Sequence, residues 1–391
     1  MPSTQASACF YDPGNRFAIS LKPGPKSSGD IERYLRKDAY SAAKDFVDGR
    51  IQVAGDMVEA IRFFMNARHS KVKSCWYAAV AHLNRVLSGL SAKTARNIQF
   101  HYDRSNDFYA QFLDPRMQYS SADYCAPDEP LEEAQERKLQ QICQTLDLRE
   151  GERFLDIGCG WGGLAIYAAE HFGVIATGCT LSRTQCEFAL DLVRSKGLDG
   201  RVSILLQDYK TIAGRFDKIA SVGMFEHVGR RRLIEYFSRV HALLDSAGLF
   251  LNRGIVRPEG SRDSAETLFL QEHVFPGGEL EHLADVIRTS ERVGFEVQSM
   301  KDIRKSYGLT CRAWAANLER TAGRCRELVR ESTYRTWLLY LACSAVSFEL
   351  GNTDAVQILL AKRPAPMPSP TIKSRFGRSA LSNPLHDHSA A

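Results

Sequence analysis

Asp156 and the three glycines that follow it are the residues whose types and spacing point most directly to chemistry. Gly158, Gly160 and Gly162 stand at alternate positions between an apolar, strand-like run and a segment with helical spacing. A strand, a glycine turn and a helix in this order bring the backbone of an α/β protein against a nucleotide-like ligand. Glycine suits such a turn because a Cβ would block the approach and because turn residues can require positive φ. The alternative is a tight strand-to-helix turn that binds nothing.

The end of the next predicted strand bears on which ligand the turn holds. A dinucleotide fold uses G-x-G-x-x-G and a later acidic residue for the ribose, whereas this turn reads G-x-G-x-G. The second strand ends without an acid, in Thr180, Leu181 and Ser182. This pattern favours S-adenosylmethionine, whose ammonium group the Asp156 carboxylate can face. A carboxylate that merely caps the turn is the alternative.

The elements that must position these residues are short strands that alternate with helical segments from Arg153 onward. Gln207 and Asp208 end the third strand, where an adenine edge would lie, although an Asx-type turn explains them equally. The alternation predicts an α/β fold with a parallel sheet and helices on both faces. The strand candidates are RFLDIG, VIATGCTL, VSILLQDY, KIASVGM and LFLNRGI, then a final pair at Glu296–Met300 and Val356–Lys362.

Composition excludes several classes of protein. The chain has 391 residues, 44% hydrophobic and 25% charged, with a formal net charge of +5. Such a mild basic balance is unlike a dedicated nucleic-acid binder but is compatible with a surface that meets anionic lipids. The 10 cysteines form no C-x-x-C pair, so we expect free thiols and no metal site. We see neither a signal peptide nor a membrane-spanning run, and expect a cytoplasmic protein.

Several motifs together resemble the cyclopropane-fatty-acyl-phospholipid synthase family, which consists of S-adenosylmethionine-dependent lipid C-methyltransferases. They occur in the order found in the family and cover about residues 95–363. The segment SVGMFEHVG, which follows the glycine motif, is highly specific. The matching segments are HYDRSNDFY, LDPRMQYSSADY, LDIGCGWGGLA, TLSRTQ, QDYK, SVGMFEHVG, VFPGGEL, SYGLTCRAW and QILLAK.

The resemblance implies a class I methyltransferase fold, with a Rossmann-like seven-stranded sheet, helical insertions and a small, mostly helical N-terminal region. We divide the chain into an N-terminal helical region over 29–95 and a catalytic domain over 96–363. Their composition predicts disordered tails over 1–28, rich in Pro, Gly and Ser, and over 364–391, rich in Pro, Ser, Ala and His. The resemblance also adds Tyr119, Ser120 and Gln185 to the cofactor-binding residues.

The activity implied by the resemblance is methyl transfer to the double bond of an unsaturated fatty acyl chain, followed by ring closure. In the family a bound bicarbonate removes the proton, held by a small polar cluster. Glu226 and Tyr307 are retained at two positions of that cluster. Ser121 stands where the family has cysteine, and Arg253 stands where it has histidine.

Arg253 is the larger of these two changes, because arginine does not release its proton near neutral pH. Its guanidinium can clamp an anion, or it can form an ion pair with Glu226 and fill the anion site. Bicarbonate binding and ring closure are therefore left open, and the alternative product is a methylene- or methyl-branched chain. Two further alternatives are a small-molecule N- or C-methyltransferase and a non-catalytic relative that regulates.

The expected partner is an unsaturated phospholipid or acyl chain, at the inner face of the membrane. Peripheral membrane contact is suggested by Arg230, Arg231 and Arg232 and by the basic segment 301–335, although a solvated charged face explains these residues too. We expect no nucleic-acid partner, and a homodimer is compatible with the sequence.

Overall fold

The computed structural model describes residues 9–12, 14, 16–21, 31, 34, 39–66, 79–81, 105–261, 263–275 and 279–363. The predicted C-terminal tail over 364–391 lies outside these ranges. So does the predicted boundary between residues 95 and 96.

A seven-stranded sheet forms the centre of the molecule and confirms the strands predicted from the sequence. Its order is β6-β5-β4-β7-β8-β10-β9, and β10 alone runs antiparallel to its two neighbours. β4 is almost wholly buried because it has strands on both sides and helices on both faces. The strands are β4 (Arg153–Ile157), β5 (Ile175–Thr180), β6 (Val202–Leu206), β7 (Phe216–Val222), β8 (Leu244–Val256), β9 (Phe295–Asp302) and β10 (Asp354–Lys362).

The helices of the main domain cover both faces of this sheet and extend beyond its edge. The helix after the glycine turn begins at Gly163 and is buried over its first seven residues. The long helix that ends at Leu350 buries an apolar set that includes Trp337 and Phe348. The helices are α3 (Asn106–Tyr109), α4 (Leu131–Thr145), α5 (Gly163–Phe172), α6 (Arg183–Ser195), α7 (Leu233–Leu243), α8 (Ala265–His273), α9 (Leu283–Arg292), α10 (Arg304–Arg320), α11 (Ala322–Leu328) and α12 (Glu331–Leu350).

The N-terminal region combines helices with a small antiparallel sheet. The predicted helices occur as α1 (Ala39–Val47) and α2 (Met57–Asn66), but the three strands were not predicted. The assignment of 1–28 to a disordered tail is wrong for β1 (Cys9–Tyr11) and β2 (Phe17–Leu21). These strands belong to the same unit as β3 (Ile51–Gly55), because β2 pairs with β3 along its whole length.

The N-terminal region packs directly on α10 and α12. The Arg312 guanidinium donates to Glu59 at 3.2 Å and to Glu349 at 3.1 Å, and so joins α2, α10 and α12. Phe17 and Ile19 of β2 belong to the same apolar core as Trp337 of α12. The region therefore shares a core with the helices beyond the sheet. Among the described helices, none has the length and apolarity needed to cross a bilayer.

Candidate active site

The carboxyl ends of four neighbouring parallel strands meet at one cavity of about 360 Å³. This is where ligands bind in open α/β sheets, because successive loops leave a crevice at that edge. Asp156 is the second-to-last residue of β4, the first strand of the motif, and its two neighbours in the sheet are Gly178 and Ala220. Eleven of the twelve predicted cofactor-binding residues line the cavity: Tyr119, Ser120, Asp156, Gly158, Gly160, Thr180, Leu181, Ser182, Gln185, Gln207 and Asp208.

Gly162 is the exception, since it is not among the lining residues. It precedes α5 and has a φ of +82°, and a Cβ there would lie 3.0 Å from the Cβ of Ala189 on α6. Its place at the third glycine of the motif is therefore explained by the turn and by close packing of two helices. A direct contact with the ligand is not needed.

Two buried groups of opposite charge face this cavity. Asp156 is 2% exposed, and burial raises the pKa of its carboxyl to about 7. Lys138 is fully buried on α4, and burial lowers the pKa of its ammonium to about 7. A cofactor with an amino acid end carries one ammonium and one carboxylate, so this pair of charges fits S-adenosylmethionine.

Sequence reasoning missed Lys138, although a signal was present. Leu131, Ala134, Leu139 and Ile142 form an apolar stripe with helical spacing along α4, and Lys138 lies within that stripe. A lysine at a core-facing position is rarely left without a polar role, because a buried ammonium is costly.

A second cavity, of about 630 Å³, adjoins the first. Tyr119, Gly223 and His227 line both, so the two cavities meet at these side chains. Glu226 and Tyr307, both predicted to be catalytic, line the second cavity. Its walls come from the N-terminal region as well as from the main domain. They include the apolar or aromatic side chains of Met65, Ile255, Leu270, Phe275, Leu280, Cys311, Tyr340 and Phe348.

Glu226 is placed by a 3-10 turn, Phe225–His227, directly after β7. Its Oε1 accepts a hydrogen bond from the backbone N–H of Ile255 at 2.7 Å, while Oε2 is buried without a hydrogen-bond partner. Burial raises the pKa of this carboxyl to about 7. A Cβ at Gly254 would lie 2.5 Å from Oε1, so glycine is what allows the carboxylate to approach β8.

Tyr307 and His227 line the second cavity together with Glu226. The Tyr307 ring stacks on Phe348 with centroids 4.5 Å apart and an interplanar angle of 11°. His227 adjoins both cavities, and burial lowers its pKa to about 4, so the imidazole is neutral at physiological pH. The structure therefore places a carboxyl, a phenol and a neutral imidazole on the lining of the second cavity.

Arg253 and Ser121 do not join that group, which corrects the expectation that they act in catalysis. The Arg253 guanidinium is 1% exposed and donates to both oxygens of Asp123, at 2.9 and 3.3 Å. It also donates to Gln357 Oε1 at 2.9 Å and to the carbonyl of Ser121 at 3.1 Å. Of the two possibilities raised for Arg253, the ion pair with Glu226 does not form, because the guanidinium pairs with Asp123 instead.

Ser121 itself is buried and lies outside the lining of both cavities. Its hydroxyl donates to the carbonyl of Ala122 at 2.9 Å, and its own carbonyl serves Arg253. Of the four residues of the expected bicarbonate cluster, the structure thus brings Glu226 and Tyr307 to one cavity and holds Arg253 and Ser121 elsewhere.

Comparison with known proteins decides the family. Residues 90–358 match the family model described as mycolic acid cyclopropane synthetase. The chain belongs to this family.

Solved members share its main domain. The cyclopropane synthase MmaA2 from Mycobacterium tuberculosis is 30% identical, with a TM-score of 0.67 over 68% of this chain and 98% of that one. The mycolic acid cyclopropane synthase CmaA1, complexed with SAH and CTAB, is 32% identical, with a TM-score of 0.66 over the same shares.

Curated relatives of this family differ in the reaction that they are named for. A Pseudomonas putida protein named as a probable fatty acid methyltransferase is 37% identical over 365 residues, or 89% of this chain and 90% of that one. The cyclopropane-fatty-acyl-phospholipid synthase of Escherichia coli is 36% identical over 264 residues, or 67% and 66%. A sphingolipid C9-methyltransferase of Komagataella phaffii is 30% identical over 338 residues, or 81% and 68%.

These likenesses establish the class of enzyme. The chain is an S-adenosylmethionine-dependent methyltransferase of a lipid-methylating family, with the class I methyltransferase fold. S-adenosylmethionine is its cofactor, and the cavity at the glycine turn has the position and the charges to hold it. Because the named relatives differ in reaction, they do not fix this chain's lipid or its product.

Proposed function

We propose that this enzyme transfers a methyl group from S-adenosylmethionine to the carbon–carbon double bond of an unsaturated fatty acyl chain in a phospholipid. The observation that carries the proposal is the junction of the two cavities at Tyr119, Gly223 and His227. It gives a cofactor in the first cavity access to a chain in the second. The apolar part of the second cavity suits a hydrocarbon chain, and the named fatty acid relatives support this substrate class.

Methyl transfer to an alkene requires alignment rather than an activated nucleophile. When bound, S-adenosylmethionine supplies a methyl group on a positively charged sulfur. The alkene π electrons form the new carbon–carbon bond while the carbon–sulfur bond breaks, which leaves S-adenosylhomocysteine and a carbocation on the chain. The cavity walls hold the chain in line and exclude water that would trap the cation. The buried Glu226 carboxylate, when ionised, stabilises positive charge nearby.

The cation must then lose a proton, and Glu226 is suited to receive it. Its Oε2 has no hydrogen-bond partner, and a pKa of about 7 leaves part of the population ionised near neutral pH. Proton loss from the transferred methyl group closes a cyclopropane ring or, after a hydride shift, gives a methylene branch. Proton loss from the chain gives a methylated alkene.

A second candidate, methylation without ring closure, is favoured by the position of Arg253. Two of the four residues expected to hold bicarbonate do not line the second cavity. Arg253 pairs with Asp123, and Ser121 lies outside the lining. Bicarbonate is therefore not part of the mechanism proposed here, and Glu226 takes the role of base. A cyclopropane product whose formation depends on added bicarbonate would contradict this assignment.

Purified enzyme, S-adenosylmethionine and phospholipid vesicles test the proposed substrate. Vesicles of a monounsaturated phosphatidylglycerol should yield acyl chains whose mass is greater by one CH2 unit. Matched saturated vesicles should yield none. NMR of the product then separates a cyclopropane from a methylene or methyl branch. Equal methylation of both vesicle types, or of the headgroup alone, would overturn the proposal.

We also propose that the enzyme works at the cytoplasmic face of the inner membrane, through the surface beside the 3-10 turn Arg230–Arg232. Arg230, Arg231 and the apolar Ile234 are exposed there. Binding to vesicles should rise with anionic lipid and fall with salt. A charge-reversing Arg230→Glu/Arg231→Glu variant should bind less, and equal binding would contradict this surface.

Sedimentation analysis tests the homodimer that the sequence permits.

A further inference from the structure

Lys138 is buried beside the cofactor cavity and, among the described residues, forms a direct ion pair with no carboxylate. Its Nζ donates to Gln118 Oε1 at 2.7 Å and to Ser120 Oγ at 3.1 Å. Both acceptors are neutral, and they account for two of the three N–H groups. Among the described residues, no carboxylate oxygen lies within 4.0 Å of Nζ. The third N–H group has no acceptor among the described residues, and Lys138, Gln118 and Ser120 line the same cavity.

Burial of an ammonium group is unfavourable unless an anion compensates it. Asp114 and Asp156 are close enough to favour the charged form, but burial outweighs them and lowers the Lys138 pKa to about 7. An anionic group bound in this cavity would supply the missing compensation. A methionine side chain of similar volume would avoid the cost altogether if the ammonium had no ligand to bind.

The sequence around the glycine turn holds the Lys138 ammonium in place. Gln118 accepts from Nζ through Oε1 and donates through Nε2 to the carbonyl of Arg116 at 3.2 Å. A Cβ at Gly163, the first residue of α5, would lie 2.0 Å from Gln118 Nε2 and 2.7 Å from the Arg116 carbonyl oxygen. Because residue 163 is glycine, the 116–118 segment can approach the start of α5. This close approach holds Gln118, which accepts from Lys138, beside the glycine turn.

The opposite charge on the same cavity lies at Asp156, which lines it with Lys138. The amino acid end of S-adenosylmethionine carries an ammonium and a carboxylate on one carbon atom. Asp156 suits the ammonium, so the carboxylate needs a cation of its own. Lys210 and Arg232 also line the cavity, but on the adenine side. Lys210 follows Asp208 and already pairs with Glu235 at 3.0 Å, and the charge of Arg232 acts on Tyr209, the residue after Asp208.

We propose that Lys138 binds the carboxylate of the cofactor's amino acid moiety, with Gln118 and Ser120 holding its Nζ in position. The inference rests on the cofactor and not on which lipid is methylated. It assigns to α4 a part in cofactor selection: a ligand that lacks the carboxylate should be bound less tightly.

Calorimetric titration with S-adenosylmethionine and with its decarboxylated analogue tests the proposal. The wild-type protein should prefer the intact cofactor by about tenfold to a hundredfold, as expected for a hydrogen bond between charged groups. Lys138→Met should bring that preference close to unity, and Lys210→Met, the matched control in the same cavity, should keep it. The preference is a ratio within one protein, so partial loss of folded protein cancels.

Three results would overturn the proposal. One is a Lys138→Met protein that loses affinity for both ligands equally, which indicates a purely structural lysine. Another is loss of the preference in Lys210→Met but not in Lys138→Met. The third is equal binding of both ligands by the wild-type protein. This result would overturn the proposal even if Lys138→Met does not fold. Because the wild-type titration detects cofactor binding by itself, none of these results is confused with failure of the proposed lipid substrate.

Discussion

Replacing Arg253 with methionine should destabilise the protein strongly, because it leaves a buried carboxylate without its main partner. The guanidinium contacts both Asp123 oxygens at 2.9 and 3.3 Å, with 1% of Arg253 and 3% of Asp123 exposed. After the substitution Asp123 keeps the Lys301 ammonium at 3.3 Å, and Gln357 Oε1 loses its donor. We expect a loss of about 3–5 kcal/mol in the free energy of unfolding.

Urea denaturation measures this loss, and a double-mutant cycle with Asp123→Asn assigns it to the pair. The two substitutions should be non-additive by about 1 kcal/mol or more. Arg194→Met is the control: its guanidinium pairs with Asp191 at 2.8 Å but is 63% exposed, so its loss should stay below about 1 kcal/mol. An effect at Arg253 no larger than at Arg194, or full additivity, would refute the pairing.

Acid should weaken the same pair. Burial alone would raise the pKa of Asp123, but the charges of Arg253 and Lys301 outweigh it and hold that pKa below its usual value. A carboxyl with a lowered folded-state pKa stabilises the protein above its unfolded-state pKa, and this contribution is lost as the pH falls through the folded-state pKa. Between about pH 6 and pH 3 the wild type should therefore lose more stability than Asp123→Asn. Equal losses would contradict the assignment.

The remaining predictions concern the second cavity. Glu226→Gln should lower turnover by about a hundredfold or more without changing the Kd for S-adenosylmethionine, and wild-type turnover would exclude the carboxylate as base. The wild-type rate should rise with pH through about 7, as Glu226 loses its proton, and this rise should vanish in Glu226→Gln. Gly254→Ala should displace that carboxylate and lower turnover by about tenfold to a hundredfold. Tyr307→Phe keeps the ring stack and should lower turnover less than Glu226→Gln does. Steady-state assays in which Tyr307→Phe lowers turnover more than Glu226→Gln would contradict the geometry.

The main fold was predictable because its signals are local. The strands β4 to β7 are short runs of five to seven residues followed by turn residues, and the glycine turn marks where β4 ends. The N-terminal sheet gave no such signal. β1 has three residues and β2 has five, in a stretch rich in Pro, Gly and Ser, and β2 is stabilised by pairing with β3 about 30 residues later.

The cofactor cavity followed from the sequence, whereas the surroundings of Arg253 did not. Most of the predicted cofactor residues follow the ends of β4, β5 and β6, where the topology brings them together, whereas Tyr119, Ser120 and Gln185 came from the family resemblance. Asp123 is 130 residues from Arg253, and nothing in its local sequence distinguishes it from the other acidic residues. Lys138 was accessible to sequence reasoning, because it interrupts an apolar helical stripe.

The most direct test of the central claim is the position of a transferred label. Purified enzyme is incubated with monounsaturated phospholipid vesicles and S-adenosylmethionine that carries a trideuterated methyl group, and the released acyl chains are fragmented in a mass spectrometer. The proposed function predicts that the label is attached at the former double bond, on one of its carbons in a branched product and bridging both carbons in a cyclopropane. Three deuterium atoms remain if the chain lost the proton, and two remain if the methyl group lost a deuteron. Label confined to the headgroup, or unlabelled chains recovered from enzyme that binds the cofactor, would contradict it.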